Sequence, residues 1–525
     1  MSRRVRTGRP AGRNMGLAGQ IPSARRFPNF AAVAAWHYAP LVFIFAAAVA
    51  LRTVSGTNVD VSWLLTIGEK MLGGERLYVD LIEVNPPASA FLYLPAILIA
   101  RATGLSPESV VDALVLFAAA GSMWVAARIM ARAPLAKGID RWSLAAWVAT
   151  VLTILPMHTF GEREHIATIT LLPLLALLAA RAGNGAPSFT SALVAGIGAG
   201  ITVVIKPHFI LAVGFAIVAA ACARKSWRTI FAVENWIMAG MAAAYVLCVV
   251  VVFPEFVTDM MPILQAVYVP VRMELLMLAI NPLFLCWVAA WGLLAFWKRG
   301  AVLKPPFSIL LAASTGFAAA YFIQGKGWAY HCFPMLALAF IALAIAGAMP
   351  GRPPRDGFDE RRTNLIRRLA VVPAAVIAVI SGVWLNVAVN TDALMEPIRQ
   401  LKARPSLLII SADIAVGHPL VRRLGGKWAS RVSALWISAG VIRRMAQEKL
   451  DPDTERLLQR YAELDREMLA EDICRNRPDI IVVDNRLSDA RAWARRDPVL
   501  VERLKDYREA AVIGAFVILW RPDGR

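Results

Sequence analysis

Residues 88–100 read ASAFLYLPAILIA, and the side of the membrane assigned to everything downstream depends on how they are read. The run is apolar but only thirteen residues long. At 1.5 Å rise per residue a helix of that length reaches about 20 Å, short of the roughly 30 Å hydrocarbon core. The segment therefore reads as an interfacial or re-entrant helix. Pro86-Pro87 just before it supplies a rigid lead-in.

On either side of that segment the chain is dominated by longer apolar runs. Of its 525 residues 58% are hydrophobic, yet it carries 56 Lys+Arg against 37 Asp+Glu. Mean hydropathy is +0.56. Spanning helices are expected at 31–51, 110–130, 143–157, 166–180, 192–205, 209–223, 231–253, 275–297, 307–323, 332–349 and 369–389, eleven in all. The fold class expected is an α-helical polytopic membrane protein with interfacial helices in its first outer loop and a small C-terminal α/β domain. With residues 88–100 left out of the spans, the basic loops fall on one side. They carry Arg132, Lys137 and Arg141; Arg224, Lys225 and Arg228; Lys298, Arg299 and Lys304; and Arg352, Arg355, Arg361, Arg362, Arg367 and Arg368. The opposite loops keep single cations such as Arg163, Lys206, Arg272 and Lys326. The positive-inside rule then places the N-terminus in the cytoplasm and the C-terminal domain outside, as expected for the inner (cell) membrane of a bacterium. The net charge of +19 lies largely in these short loops, which speaks against a nucleic-acid partner.

Three regions are expected: a basic tail at 1–30 with Arg3, Arg4, Arg6, Arg9, Arg13, Arg25 and Arg26; a membrane domain at 31–390 with a long first outer loop at 53–108; and a soluble domain at 391–525. In the last, 406–411 (SLLIIS) and 480–483 (IIVV) read as buried strands, 457–469 and 490–507 as helices, and 511–520 as a final strand. Cys222, Cys248, Cys286, Cys332 and Cys474 show neither metal spacing nor a disulfide framework. Gly196-Ile197-Gly198-Ala199-Gly200 lies inside an apolar run with no strand before it, so it reads as a close helix contact rather than a phosphate loop.

Polar residues gather on the outer side. The first loop has Asp60, Glu69, Asp80, Glu83 and Asn85, and a second turn runs from His158 to His165 with Glu162, Arg163 and Glu164. Lys206-Pro207-His208 forms a third turn, Glu255, Asp259, Tyr268 and Arg272 lie in a fourth, and Gln324 to His331 form a fifth with Lys326 and Tyr330. Ionisable groups near the hydrocarbon are costly, about 2.5–3.5 kcal/mol at a helix centre, so their concentration calls for a function. Carboxylates beside cations suit transfer of a sugar from a lipid phosphate. One takes the proton of an acceptor hydroxyl and the others hold the phosphate.

Each group also has a bland reading. Asp60 could cap a helix. Glu162 and Glu164 could form a local ion-pair cluster with Arg163. Lys206 and Lys326 could snorkel from span ends. His331 could be an interface histidine, and His37 and His208 read as structural. In the tail, Asp413, His418 and Asp484 could touch a glycan from strand ends, with plain loop residues as the default reading.

The stretches Asp60-Val61-Ser62-Trp63, Gly68-Glu69-Lys70-Met71-Leu72, Gly74, Leu77-Tyr78 and Glu83-Val84-Asn85-Pro86-Pro87 together resemble the first outer loop of the GT-C superfamily of membrane glycosyltransferases. That superfamily includes protein O-mannosyltransferases, aminoarabinose transferases of lipid A and rhizobial-type lipid A galacturonosyltransferases. Glu162-Arg163-Glu164-His165 is similar to its second acidic motif, Lys206-Pro207 to a later break, and KGWAYHCFP from Lys326 to its Lys…Tyr…Pro segment. The likeness spans about 31–350 and is most specific in the first loop. It implies an inverting transferase using a polyprenyl-phosphate sugar donor and a lipid, glycan or protein acceptor. Asp60 would be the catalytic carboxylate, with Glu164 or Glu162 its acidic partner, although many relatives carry Asp at that second position. Arg163, Lys206, Lys326 and His331 would bind donor phosphate, and Glu83, Asn85 and Tyr330 would line the substrate site. Metal dependence varies in the superfamily, so a divalent cation stays among the expectations. A transporter or flippase for a lipid-linked sugar is the alternative from another class. It should show internal repeats and charges at mid-membrane, and the sequence shows neither. An outer-face glycan ligase or polymerase would differ in its diphosphate-linked donor.

Overall fold

The computed structural model describes residues 30–131, 133–298, 300–349, 357–486 and 489–522. The expected tail at 1–30, Phe30 apart, lies outside the described residues, as do Arg132, Arg299, Arg352 and Arg355.

Ten of the eleven segments expected to span are each found as a helix, and the eleventh is split in two. Six are long and apolar enough to cross a membrane: Tyr38–Ser55, Pro107–Met130, Arg163–Ala182, Val233–Val252, Phe307–Gln324 and Ala329–Ala348. Shorter apolar helices are Ala88–Thr103, Phe189–Ile205, Pro207–Ala223, Pro282–Trp297 and Leu369–Leu385, and Arg141–Thr153 covers the remaining expected span. The span expected at 275–297 is broken. Leu275–Ala279 stops before Asn281, whose side chain caps a new helix at Pro282. Proline lacks the N–H to continue the first helix but fits the first turn of the second.

The glycine-rich run proves to be a contact between helices. A Cβ at Gly198 would lie 2.2 Å from Thr170 O, and one at Gly196 2.7 Å from Glu234 O. Any side chain there would push apart the helices that carry those carbonyls.

Residues 88–100 fold as two short helices, Ala88–Phe91 and Leu94–Thr103. They pack on Val59–Met71, where a Cβ at Gly68 would meet Ile97 Cδ1 at 2.5 Å. The segment is an inner wall of the first loop, with Tyr93 only 2% exposed.

The C-terminal part is built on a five-stranded sheet of order β2-β1-β3-β5-β4. Its strands are β1 (Ser406–Ile410), β2 (Lys427–Trp428), β3 (Ile480–Asp484), β4 (Arg508–Ile513) and β5 (Phe516–Trp520). β1 pairs parallel with β2 and β3, and β5 pairs antiparallel with β3 and β4. Central β3 is buried along its whole length, as its unbroken IIVV run requires. The single strand expected at 511–520 is instead a hairpin, turned at Gly514 with φ +57°. The single helix expected at 490–507 is two, Ala490–Arg495 and Pro498–Leu504, with Asp497 capping the second. The helix expected at 457–469 extends over Pro452–Asn476.

Candidate active site

The site begins with a cap. Asn58 Oδ1 accepts from the Asp60 and Val61 backbone N–H groups, at 2.7 and 3.3 Å, and so starts the helix Val59–Met71. Asp60 therefore lies in the first turn, where the helix dipole favours a carboxylate. The Asn58 Nδ2 donates to His158 O at 3.0 Å, linking the first loop to the second acidic turn.

That turn is fastened at two further points. Arg52 donates to Met157 O at 2.7 Å and lies over the Phe160 ring. The hydroxyl of Tyr93, from the segment that decides the topology, donates to Gly161 O at 2.8 Å. Gly161 itself turns with φ +79° and donates its N–H to His165 Nδ1 at 3.1 Å. The other ring nitrogen, Nε2, thus carries the hydrogen and donates to Leu152 O at 2.7 Å, making His165 a strut of the turn.

So held, the turn delivers Arg163 to Asp60. Its Nη2 lies 2.8 Å from Asp60 Oδ2, with Arg163 at 3% side-chain exposure and Asp60 at 19%. Arg163 also reaches Ser89 Oγ at 3.4 Å. One step along the helix, Glu164 is fully buried and pairs with Lys206. His331 Nε2 stands 3.5 Å from the same Glu164 oxygen. Lys206 also contacts Gln324 Oε1 at 3.4 Å and lies 5.4 Å from the Tyr330 ring centre. Glu162 is buried within electrostatic reach of Asp60, Glu164, Arg163 and Lys206. One oxygen each of Glu162 and Glu164 is buried without a partner.

Residues far apart in sequence therefore meet: Asp60, Glu162, Arg163, Glu164, Lys206, Tyr330 and His331. Glu83 and Asn85 sit beside them in a supporting role. Glu83 accepts from Trp63 Nε1 at 2.5 Å and from the Asn85 N–H at 2.9 Å, and its charge is felt by Arg163. Burial pushes the Glu83 carboxyl up, against those hydrogen bonds. Lys326 is placed apart. Its ammonium donates to Tyr268 O and Val271 O, both at 2.6 Å, over the Tyr268 ring. Burial, with Arg443 and Arg272 nearby, lowers it to about 8. Tyr268 bridges the two groups, lying within electrostatic reach of Asp60, Arg163, Glu83 and Glu164.

Sequence reasoning left Gln324, Tyr268, Ser89 and Trp63 without roles. Gln324 and Tyr268 stood in outer turns, but nothing local showed which way they point. Asp413, His418 and Asp484 are structural. Asp413 caps Ile414–Gly417, Asp484 binds Ser411 and Arg486, and His418 is buried between Trp63 and Trp428. Among the described residues no group of three or more His, Cys, Asp or Glu is arranged to hold a metal ion. Asp60 and Glu164 each face a cation, Arg163 and Lys206.

The architecture can be compared with solved structures. The crystal structure of ArnT from Cupriavidus metallidurans in the apo state aligns over 93% of this chain and 98% of its own, at 13% identity and TM-score 0.53. The chain shares the overall fold of that structure. The arabinofuranosyltransferase AftD from Mycobacteria aligns over 92% of this chain and 41% of its own, at 14% identity and TM-score 0.42. No protein-family model matches the sequence, and no curated protein does. Within this fold, the carboxylates and cations collect where helices begin or end.

Proposed function

We propose that this protein is an inverting membrane glycosyltransferase. It takes a sugar from a polyprenyl-phosphate donor and passes it to a hydroxyl of a lipid, glycan or protein acceptor at the periplasmic face. The observation that carries the reading is the Asp60–Arg163 pair beside the buried Glu164–Lys206–His331 group. Asp60 is the partly exposed carboxylate, and Arg163 fixes its orientation. It is placed to accept the proton of the acceptor hydroxyl as that oxygen attacks the anomeric carbon. The bond from that carbon to the phosphate oxygen breaks, and polyprenyl phosphate leaves with the negative charge. Lys206 and Lys326 supply cations for that charge, with His331 and Tyr330 alongside. A single displacement inverts the anomeric configuration.

Helix polarity favours this reading over a flippase. Arg163 and His331 lie in the first turns of their helices, while Lys206 and Gln324 follow or close theirs. Consecutive spans run in opposite directions, so these positions share one membrane boundary instead of mid-membrane. In this account residues 31–390 carry catalysis and 391–525 form a soluble outer domain, in the inner membrane of a bacterium with the N-terminus cytoplasmic.

The test is transfer by purified protein from radiolabelled polyprenyl-phosphate sugars to extracted membrane lipids, glycans or protein. Wild type should transfer label from the lipid-linked donor and not from nucleotide sugars. Asp60→Asn should lose about 10²–10⁴-fold in rate with an unchanged melting temperature. Use of nucleotide sugars, or a fully active Asp60→Asn, would contradict the reading.

A further inference from the structure

The helix Pro107–Met130 begins beside the helix that carries Asp60, where Glu108 shares Arg422 with Glu69. From Glu108 to Arg128 it advances about 30 Å at 1.5 Å per residue, the thickness of the hydrocarbon core. Arg128 therefore stands at the boundary opposite the candidate site. The helix Arg163–Ala182 also leaves the site and ends at that far boundary, and Phe189–Ile205 starts from there.

A cavity of about 320 Å³ lies between the end of Pro107–Met130 and the start of Phe189–Ile205. Its walls are graded by depth. Trp124 and Val125 sit one turn deeper than Arg128, and Val194 one turn deeper than Ser188 and Thr190. Apolar surface thus faces the bilayer interior, and a cation with two hydroxyls faces the headgroups. The Arg128 guanidinium lies 5.0 Å from the centre of the Trp124 ring, which is itself 61% exposed. Stacking on the indole steadies that cation and leaves its N–H edges available. Among the described residues no carboxylate pairs with Arg128. A snorkelling arginine on a smooth helix face would meet passing headgroups, whereas this one borders an enclosed space with an apolar floor.

We propose that this cavity holds one anionic phospholipid of the leaflet on that side. Its phosphodiester meets Arg128, its headgroup hydroxyls meet Ser188 and Thr190, and an acyl chain runs along Trp124, Val125 and Val194. A lipid fits the cavity better than a soluble anion because half of the wall is apolar and opens at membrane depth. The proposal does not depend on the transfer reaction. Both flanking helices pack on Arg163–Ala182, so the bound lipid ties together the far end of the bundle that positions Arg163 and Glu164.

The experiment titrates delipidated full-length protein in dodecyl maltoside with phosphatidylglycerol or with phosphatidylcholine of the same chains, and counts bound lipid by native mass spectrometry. Wild type should bind one phosphatidylglycerol about tenfold more tightly than phosphatidylcholine, the worth of one charged hydrogen bond. Its melting temperature should rise with that lipid. Arg128→Gln should bring phosphatidylglycerol down to the level of phosphatidylcholine with the lipid-free melting temperature unchanged, and Arg128→Lys should recover part of the preference. Val194→Trp, which fills the cavity and alters no charge, should also lose the tight site. Equal affinity of wild type for the two lipids, or an undiminished preference in Arg128→Gln, would overturn the proposal. Full binding in Val194→Trp would reduce Arg128 to a contact with bulk headgroups and overturn the cavity as the site. A melting temperature raised as much by inorganic phosphate alone would assign Arg128 to a free anion and overturn the lipid.

Discussion

Asp60 and Glu164 are both paired carboxylates, but their surroundings assign them different work. Asp60 keeps 19% side-chain exposure while Glu164 keeps none. A proton acceptor needs access to the acceptor hydroxyl, so Asp60 fits that role, while buried Glu164 holds Lys206 in place. The Asp60-to-Trp63 stretch and the Glu162–His165 turn could be singled out in the sequence because acidic residues beside apolar spans are rare. Their pairing could not, because it depends on Asn58 and Tyr93 reaching across about 100 and 68 positions to the second turn. Lys326 was legible as a cation at the right boundary, but its partners Tyr268 and Val271 lie in another turn and came only with the fold. Its ammonium, brought down to about 8 chiefly by burial, gives a pH prediction. Below that value it is charged and attracts phosphate; as pH rises through it the charge is lost. Donor affinity should therefore fall as pH rises through about 8, and Lys326→Met should flatten that fall. A phosphodiester donor keeps a constant charge in this range, so the profile reports the protein. A Lys326→Met profile that still falls as in wild type would contradict the assignment.

Arg422 shows how elements, rather than single groups, are kept in register. It lies on the Leu420–Arg423 helix of the C-terminal part and grips both Glu69 oxygens, at 2.7 and 2.9 Å. It also pairs with Glu108. Glu69 lies on the helix that carries Asp60, and Glu108 begins the helix Pro107–Met130. Close by, the Ile82 N–H donates to Arg431 O at 2.8 Å, and His418 meets the Trp63 ring. Arg422→Ala leaves two carboxylates facing an emptied position and should cost about 2 kcal/mol. Hydrogen exchange should speed up in Val59–Met71 and in the Leu420–Arg423 helix, and transfer should slow. Protection equal to wild type in both helices would show that the clamp has no mechanical role. At this scale the sequence was readable where a pattern is long: the spans, β1, β3 and the Pro452–Asn476 helix. It was silent on β2, only two residues long, and on the splits at Asn281, Asp497 and Gly514. One capping side chain or one positive φ interrupts an otherwise continuous apolar pattern at each of these.

At the scale of the whole molecule, the reading of residues 88–100 as non-spanning fixes the sides of all later loops. Helix length carries that reading, and the segment packs on Val59–Met71. The central claim is that carboxylates and cations from separate turns meet at one outer boundary. Cysteine accessibility in intact spheroplasts, after replacement of the five native cysteines, tests it most directly. Val79 reports the first loop, Val269 the turn that holds Lys326, and Lys137 and Lys225 the opposite side; all four are exposed. Single cysteines at 79 and 269 should react with a membrane-impermeant maleimide from outside, and those at 137 and 225 only after permeabilisation. Labelling of 79 and 269 from opposite sides would contradict the account, since Asp60 and Lys326 could then share no site.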